Sequence, residues 1–180
     1  MTDFDYTFKV MMVGDASVGK TSLTIRFISG SFSEDLKLTI GVDFYSKTMS
    51  YNNKRVKYQV WDFGGEQRFR FLLPQYCRGA NAAFYLYDIT NPVTLNHLQD
   101  WISIIHEHSG DIPIFLIGSK LDLAQYRAIS HEEGTRAKEK YNLAAFIELS
   151  SKTGENVEKA FGNMTELLFK KYIYINKNGI

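Results

Sequence analysis

The strongest constraint on the fold is a pair of apolar runs without polar interruption. Ala82-Ala83-Phe84-Tyr85-Leu86-Tyr87 and Ile112-Pro113-Ile114-Phe115-Leu116-Ile117 offer no face suited to water. Side chains alternate between the two sides of a strand, so such runs are stable only when both sides are covered. Between them Leu95, Leu98, Ile102 and Ile105 recur at helical spacing, which supplies one cover. Phe8 to Val13 reads as another strand, ended by Gly14. Leu23 and Phe27 mark a helix that stops near Ser29, with Gly30 behind it. Val42 to Tyr51, a turn at Asn52-Asn53 and Val56 to Asp62 read as an antiparallel hairpin. Phe146 to Leu149 is a further short strand, and Val157, Phe161, Met164 and Leu168 stripe a last helix. This alternation predicts an α/β fold: a six-stranded, mostly parallel sheet with one antiparallel strand and helices on both faces. The 180 residues contain no linker, repeat or low-complexity tract, so 1–180 reads as a single domain with a core of about 8–172.

In such sheets ligands bind beyond the carboxyl ends of the strands. Gly14-Asp15-Ala16-Ser17-Val18-Gly19-Lys20-Thr21 follows a strand end and opens a helix, with Ser22 next. Its glycines let successive N–H groups point at phosphate oxygens, and the helix adds its positive end. Lys20 suits β- and γ-phosphates, and the Thr21 hydroxyl suits Mg²⁺. That motif alone specifies only a nucleoside triphosphate. The second strand of the hairpin finishes in Trp61-Asp62-Phe63-Gly64-Gly65-Glu66-Gln67, which supplies a carboxylate for Mg²⁺ and, at Gly65, an N–H that no side chain obstructs. Thr39, between helix and hairpin, offers a second hydroxyl for the metal. A third loop, Ser119-Lys120-Leu121-Asp122, can accept from the ring N–H and exocyclic amine of guanine, a donor pair that adenine lacks. Lys120 has a stem long enough to lie along the base. Ser150-Ser151-Lys152 follows the last strand and can give a backbone N–H to the guanine oxygen.

Other features narrow the class. A net charge of +1 gives no field for nucleic acid. The single cysteine, Cys77, excludes an internal disulfide and reads as structural. The first residues do not form a signal peptide, and no apolar run is long enough to span a bilayer.

Taken in order, these motifs resemble the Ras superfamily of small GTPases, the Rab-like branch in particular, over about Phe8 to Tyr172. The resemblance implies a P-loop NTPase fold of the G-domain type, slow hydrolysis of GTP to GDP with Mg²⁺, and a cytoplasmic switch serving effectors in vesicle traffic. It places Phe32 against the guanine, Ala16 against the γ-phosphate, and Phe44, Trp61 and Tyr76 in an aromatic triad for effectors, exchange factors and activating proteins. Trp61 also shares the parity of Lys57 and Gln59, which predicts an exposed indole. Lys20, Gly65, Glu66 and Gln67 are the residues nearest the chemistry.

Three departures stand out. Glu66 replaces the glutamine that usually orients the attacking water, with Gln67 following; its charge predicts hydrolysis no faster than about 10⁻⁴ s⁻¹, unless Gln67 or a partner substitutes. Ser119 replaces the usual asparagine and is too short for the same amide contacts, which predicts weaker binding or faster exchange. Thr2 and the Ile175–Ile180 end carry no myristoylation or prenylation signal. The expectation is therefore no lipid anchor, as in a prokaryotic (archaeal) member. Two other readings remain: a GTP-binding module without useful turnover, and a kinase of a small substrate, for which no acceptor site is evident.

Overall fold

A computed structural model describes residues 4–178 of the chain. The anchor expectation at Thr2 and at Gly179-Ile180 falls outside them. Six strands, β1 (Tyr6–Val13), β2 (Val42–Tyr51), β3 (Lys54–Phe63), β4 (Ala82–Asp88), β5 (Ile114–Ser119) and β6 (Ala145–Glu148), form one sheet. Its order is β2-β3-β1-β4-β5-β6. Only β2 runs antiparallel to its neighbour, β3; every other pairing is parallel. The helices are α1 (Lys20–Ser29), α2 (Leu73–Cys77), α3 (Val93–Asn96), α4 (Leu98–Ser109), α5 (His131–Lys140) and α6 (Val157–Asn178).

Strand alternation builds two cores. Phe8, Val10 and Met12 of β1 face Phe27 of α1 and Phe161 of α6, whose rings stack 3.6 Å apart. Met11 and Val13 face the other side, with Leu73 of α2 and with Leu98, Trp101 and Ile105 of α4. β4 is buried along its whole length, as its uninterrupted apolar run requires. Cys77 is buried and free. Among the described residues no helix is long and apolar enough to cross a membrane.

Two local expectations differ, and one helix was not expected. β5 begins at Ile114, two residues after the start of the apolar run, because Pro113 has no N–H to donate and only its carbonyl joins the sheet, accepting from Ala83. The spacing from Leu95 to Ile105 covers two helices rather than one. Thr94 turns its hydroxyl back to the Asn91 carbonyl, and the backbone at His97, with ψ near zero, separates α3 from α4. Helix α5 has no apolar stripe to announce it; its signal is the capping box of Ser130 and Glu133, in which each side chain accepts from the other residue's N–H.

The register aligns the carboxyl ends of the strands. Met12 pairs with Asp62, Asp88 with Ser119, and Gly118 with Glu148. Loops from separate parts of the chain therefore leave one rim.

Candidate functional site

A cavity of about 410 Å³ opens at that rim, within the range of small-molecule sites. Ala16 to Ser22, Phe32, Thr39, Gly65, Glu66, Ser119, Lys120, Asp122, Ser151 and Lys152 line it. Gly14, Asp15, Asp62 and Ser150 stand behind this lining, and Gln67 does not reach it.

The curl of the phosphate loop depends on glycine at its start. Gly14 has φ +132°, and a Cβ there would lie 2.3 Å from the Leu86 carbonyl oxygen of β4. Lys20, at the head of α1, is nearly buried and donates to the Asp15 carbonyl at 2.6 Å. Burial lowers its ammonium to about 8, against the attraction of Asp62 and Asp15. A buried lysine with a depressed pKa at the floor of a loop rich in N–H groups is a receptor for anionic oxygen.

Beside it Thr21 Oγ1 donates to Asp62 Oδ2 at 2.5 Å. Thr39 Oγ1 lies 2.7 Å from Thr21 Oγ1 and 3.4 Å from the same carboxylate oxygen. Asp62 is fully buried, and its Oδ1 has no hydrogen-bond partner among the described residues. Burial raises its carboxyl to about 6, opposed by the Thr21 hydroxyl and by Lys20. Hydroxyls and a carboxylate from three segments, with one carboxylate oxygen unpartnered, suit a hard cation such as Mg²⁺. Among the described residues no cluster of three or more His, Cys, Asp or Glu side chains offers another metal site.

Gly65 crosses so close to the phosphate loop that a Cβ there would meet Ala16 N at 2.2 Å. The next residue departs from expectation. Glu66 lines the cavity, but Arg68 grips its carboxylate with both ends of the guanidinium fork, at 2.8 and 3.1 Å. Glu66 and Arg68 thus form an ion pair beside the cavity. Gln67 is exposed at the start of a 3₁₀ turn, Gln67–Leu72, and cannot stand in for the missing glutamine without rearrangement.

On the base side Ser119 corrects a second expectation. Its buried hydroxyl lies 2.6 Å from the Val18 carbonyl and 2.7 Å from that of Tyr87, so the short side chain does reach the phosphate loop. With one proton it donates to one carbonyl at a time. Asp122 accepts from Ser150 Oγ at 2.6 Å, which orients the carboxylate. The Lys120 ammonium sits 2.6 Å from Asp88, a strand-end carboxylate that the motif reading passed over. Lys152 reaches Glu34 at 2.7 Å across the mouth of the cavity, joining the loop of Phe32 to the base loop.

Asp15 turns its side chain away from the cavity. His97 Nδ1 lies 2.6 Å from one oxygen, while the Trp101 indole donates to the other at 3.2 Å and Arg70 approaches it at 3.7 Å. The triad is assembled but differs from the exposed indole expected. Trp61 is half-buried between Phe44 and Tyr76, with the Lys9 ammonium 4.7 Å from its ring centroid. Its indole N–H meets no acceptor among the described residues, and Phe44 is exposed. The pleat aims Trp61 outward as its parity indicates, but Tyr76 after the 3₁₀ turn folds over it.

Comparison with known proteins agrees with this arrangement. The profile of the Ras family matches residues 9–170. The Ras-related protein Rab-1 of Theileria parva is 39% identical over 173 residues, which cover 95% of this chain and 78% of the relative. Human Rab-26 is 41% identical over 160 residues, or 88% of this chain and 62% of the relative. RABA1i of Arabidopsis thaliana is 39% identical over 179 residues, or 99% and 80%. These relatives are eukaryotic and lend no support to a prokaryotic origin.

Proposed function

The chain belongs to the Ras family of small GTPases, and from that premise we propose that it is a guanine-nucleotide switch whose hydrolysis is slow because of Glu66. The observation that supports this most directly is the convergence of the Lys20, Asp62 and Asp122 loops on one cavity.

In this reading the N–H groups of the phosphate loop and Lys20 hold the β- and γ-phosphates. Thr21, Thr39 and Asp62 would hold Mg²⁺, which supplies charge neutralisation at the phosphate oxygens. Asp122 selects guanine through its donor pair, and Phe32, Lys120 and Ser119 complete the base wall. Thr39 and Gly65 sit on the two loops that the γ-phosphate orders, so its loss releases both. Phe44, Trp61 and Tyr76 lie beside these loops, where effectors, exchange factors and activating proteins would sense the change. A role in vesicle traffic follows the Rab relatives in the same spirit, and the one sheet shared by all six strands supports a single small-GTPase domain with a core of about 8–172.

Glu66 supports a second reading, a GTP-binding module that turns over only with a partner. Its carboxylate, even with Arg68 on it, cannot donate to a transition-state oxygen as an amide does. Phosphate release in single turnover separates the readings. Slow but measurable release from GTP by the purified chain supports the switch. Release only with an activating protein supports the module. No GTP binding under either condition rejects both.

A further inference from the structure

We infer that Arg70 is a positioning residue for GTP hydrolysis: it clamps the segment that carries Gly65 and Glu66 onto the phosphate loop by closing on Asp15 and on the face of Trp101. This rests on the switch reading above and goes beyond it by naming what holds the second loop in place.

The segment has little else to hold it. No residue of the 3₁₀ turn Gln67–Leu72 is buried, and no side chain of the turn belongs to either core. Arg68 spends its guanidinium on Glu66, inside the segment. Among the described residues, Arg70 is the one member of the turn whose side chain makes an ion pair with another part of the chain. One terminal nitrogen lies 3.7 Å from Asp15 Oδ1, and the guanidinium carbon lies 4.7 Å from the centroid of the Trp101 ring. A guanidinium is flat and weakly hydrated, which suits it to lie over an indole while facing a carboxylate.

Asp15 is where this clamp meets the phosphate site. Its carbonyl accepts from Lys20 Nζ at 2.6 Å. Gly65 passes so close that a Cβ there would lie 2.3 Å from the same carbonyl oxygen. The main chain of Asp15 thus touches one end of the segment and its side chain holds the other, with Glu66 on the stretch between. Pinning both ends to one residue limits where Glu66 can go relative to the phosphates, and hydrolysis is sensitive to such placement.

The same contacts can open at low cost. At 3.7 Å the Arg70–Asp15 approach is longer than a hydrogen bond. Release would also give the buried, unpartnered Arg70 Nε access to water. Asp15 stays paired without Arg70, because His97 Nδ1 lies 2.6 Å from Oδ2 and the Trp101 indole donates to Oδ1 at 3.2 Å. Opening therefore strands no carboxylate. That balance fits a segment ordered by the γ-phosphate and let go on its loss.

The test uses the full chain and its Arg70→Gln and Arg70→Lys variants, each also in a Trp61→Phe background that leaves Trp101 as the single tryptophan. Single-turnover GTP hydrolysis and the GDP dissociation constant are measured with Mg²⁺, and thermal unfolding checks that each variant folds. Trp101 emission is compared between GDP and a non-hydrolysable GTP analogue. Arg70→Gln should slow hydrolysis by about three- to tenfold, the range for loss of one ion pair and one cation–π contact, and leave GDP affinity within about twofold. Arg70→Lys keeps the charge without the flat stack and should fall between. With Arg70 present, Trp101 emission should differ between the two nucleotides; in Arg70→Gln that difference should vanish. An unchanged rate, a rate loss matched by an equal loss of GDP affinity, or Trp101 emission blind to the nucleotide overturns the clamp while the guanine reading stands. Should the chain bind GTP but release no phosphate on its own, the emission comparison decides alone. Should Arg70→Gln fail to fold, Arg70→Lys decides. If wild type fails to prefer GTP over ATP, the switch reading itself falls.

Discussion

Asp62→Asn should stabilise the protein when nucleotide and metal are stripped away and weaken it when they are present. Asp62 is wholly buried, with Thr21 on one oxygen and no partner on the other. With protein groups alone around it, burial moves its carboxyl from 3.8 to about 6. A rise of that size disfavours the ionised form in the folded chain by about 3 kcal/mol. The direction follows from linkage. Well below pH 3.8 the group is protonated in both folded and unfolded chains, and the substitution gains nothing. As pH rises through 6 the folded wild type loses that advantage, and above 6 the loss is complete. The asparagine amide leaves one buried donor or acceptor imperfectly paired, a cost of about 1 kcal/mol. The net gain at pH 7 is about 2 kcal/mol, or roughly 4–8 °C in Tm for a chain of this size. Thermal unfolding of stripped wild type and variant in EDTA, from pH 4 to 8, measures the difference directly. It should grow between pH 4 and 6 and then level. In excess GDP and Mg²⁺ the order should reverse, because the variant lacks the carboxylate that faces the cation. A stripped variant less stable than wild type at pH 7, or a difference that ignores pH, would refute the reasoning.

The remaining predictions concern neighbouring groups. Asp122→Asn should weaken GDP by about 10²–10⁴-fold, the loss of two charge-assisted hydrogen bonds, and shift preference toward xanthine nucleotides; competition binding with an unchanged preference would reject Asp122 as the base reader. Glu66→Gln should speed single-turnover GTP hydrolysis by about tenfold or more, since an amide can donate where a carboxylate paired to Arg68 cannot. No acceleration would remove that account of Glu66. Asp15→Ala strips His97, Trp101 and Arg70 of a shared acceptor and should cost about 2 kcal/mol in urea unfolding; a loss under about 0.5 kcal/mol would mean the cluster is ornamental.

Much of the fold was legible because strong physical requirements leave local marks. Ala82–Tyr87 had to be a strand with two covers, and Gly14 to Thr21 had to bridge a strand and a helix. The contacts that complete the site left weaker marks. Arg26 reaches the base loop across 125 residues of chain, a contact that no local pattern encodes. Asp88 and Arg127 are ordinary charges in sequence. In space the first anchors Lys120, and the second grips the nearly buried Glu148 through two bonds at the base of the Ser150 loop. The exposure expected of Trp61 failed for a related reason. Alternation fixes the face a side chain takes, not what later folds over that face, and Tyr76 comes from a segment with no strand or amphipathic pattern. Ser119 shows the converse error, in which length alone suggested a lost contact that the close approach of Val18 restores.

Equilibrium competition among GTP, GDP and ATP on the purified chain, with Mg²⁺ and with EDTA, bears most directly on the whole account. Guanine nucleotides should win over ATP by orders of magnitude, lose affinity when Mg²⁺ is removed, and lose most of it in Lys20→Ala. Equal binding of ATP and GTP would contradict the account, as would guanine nucleotide retained undiminished without the Lys20 ammonium.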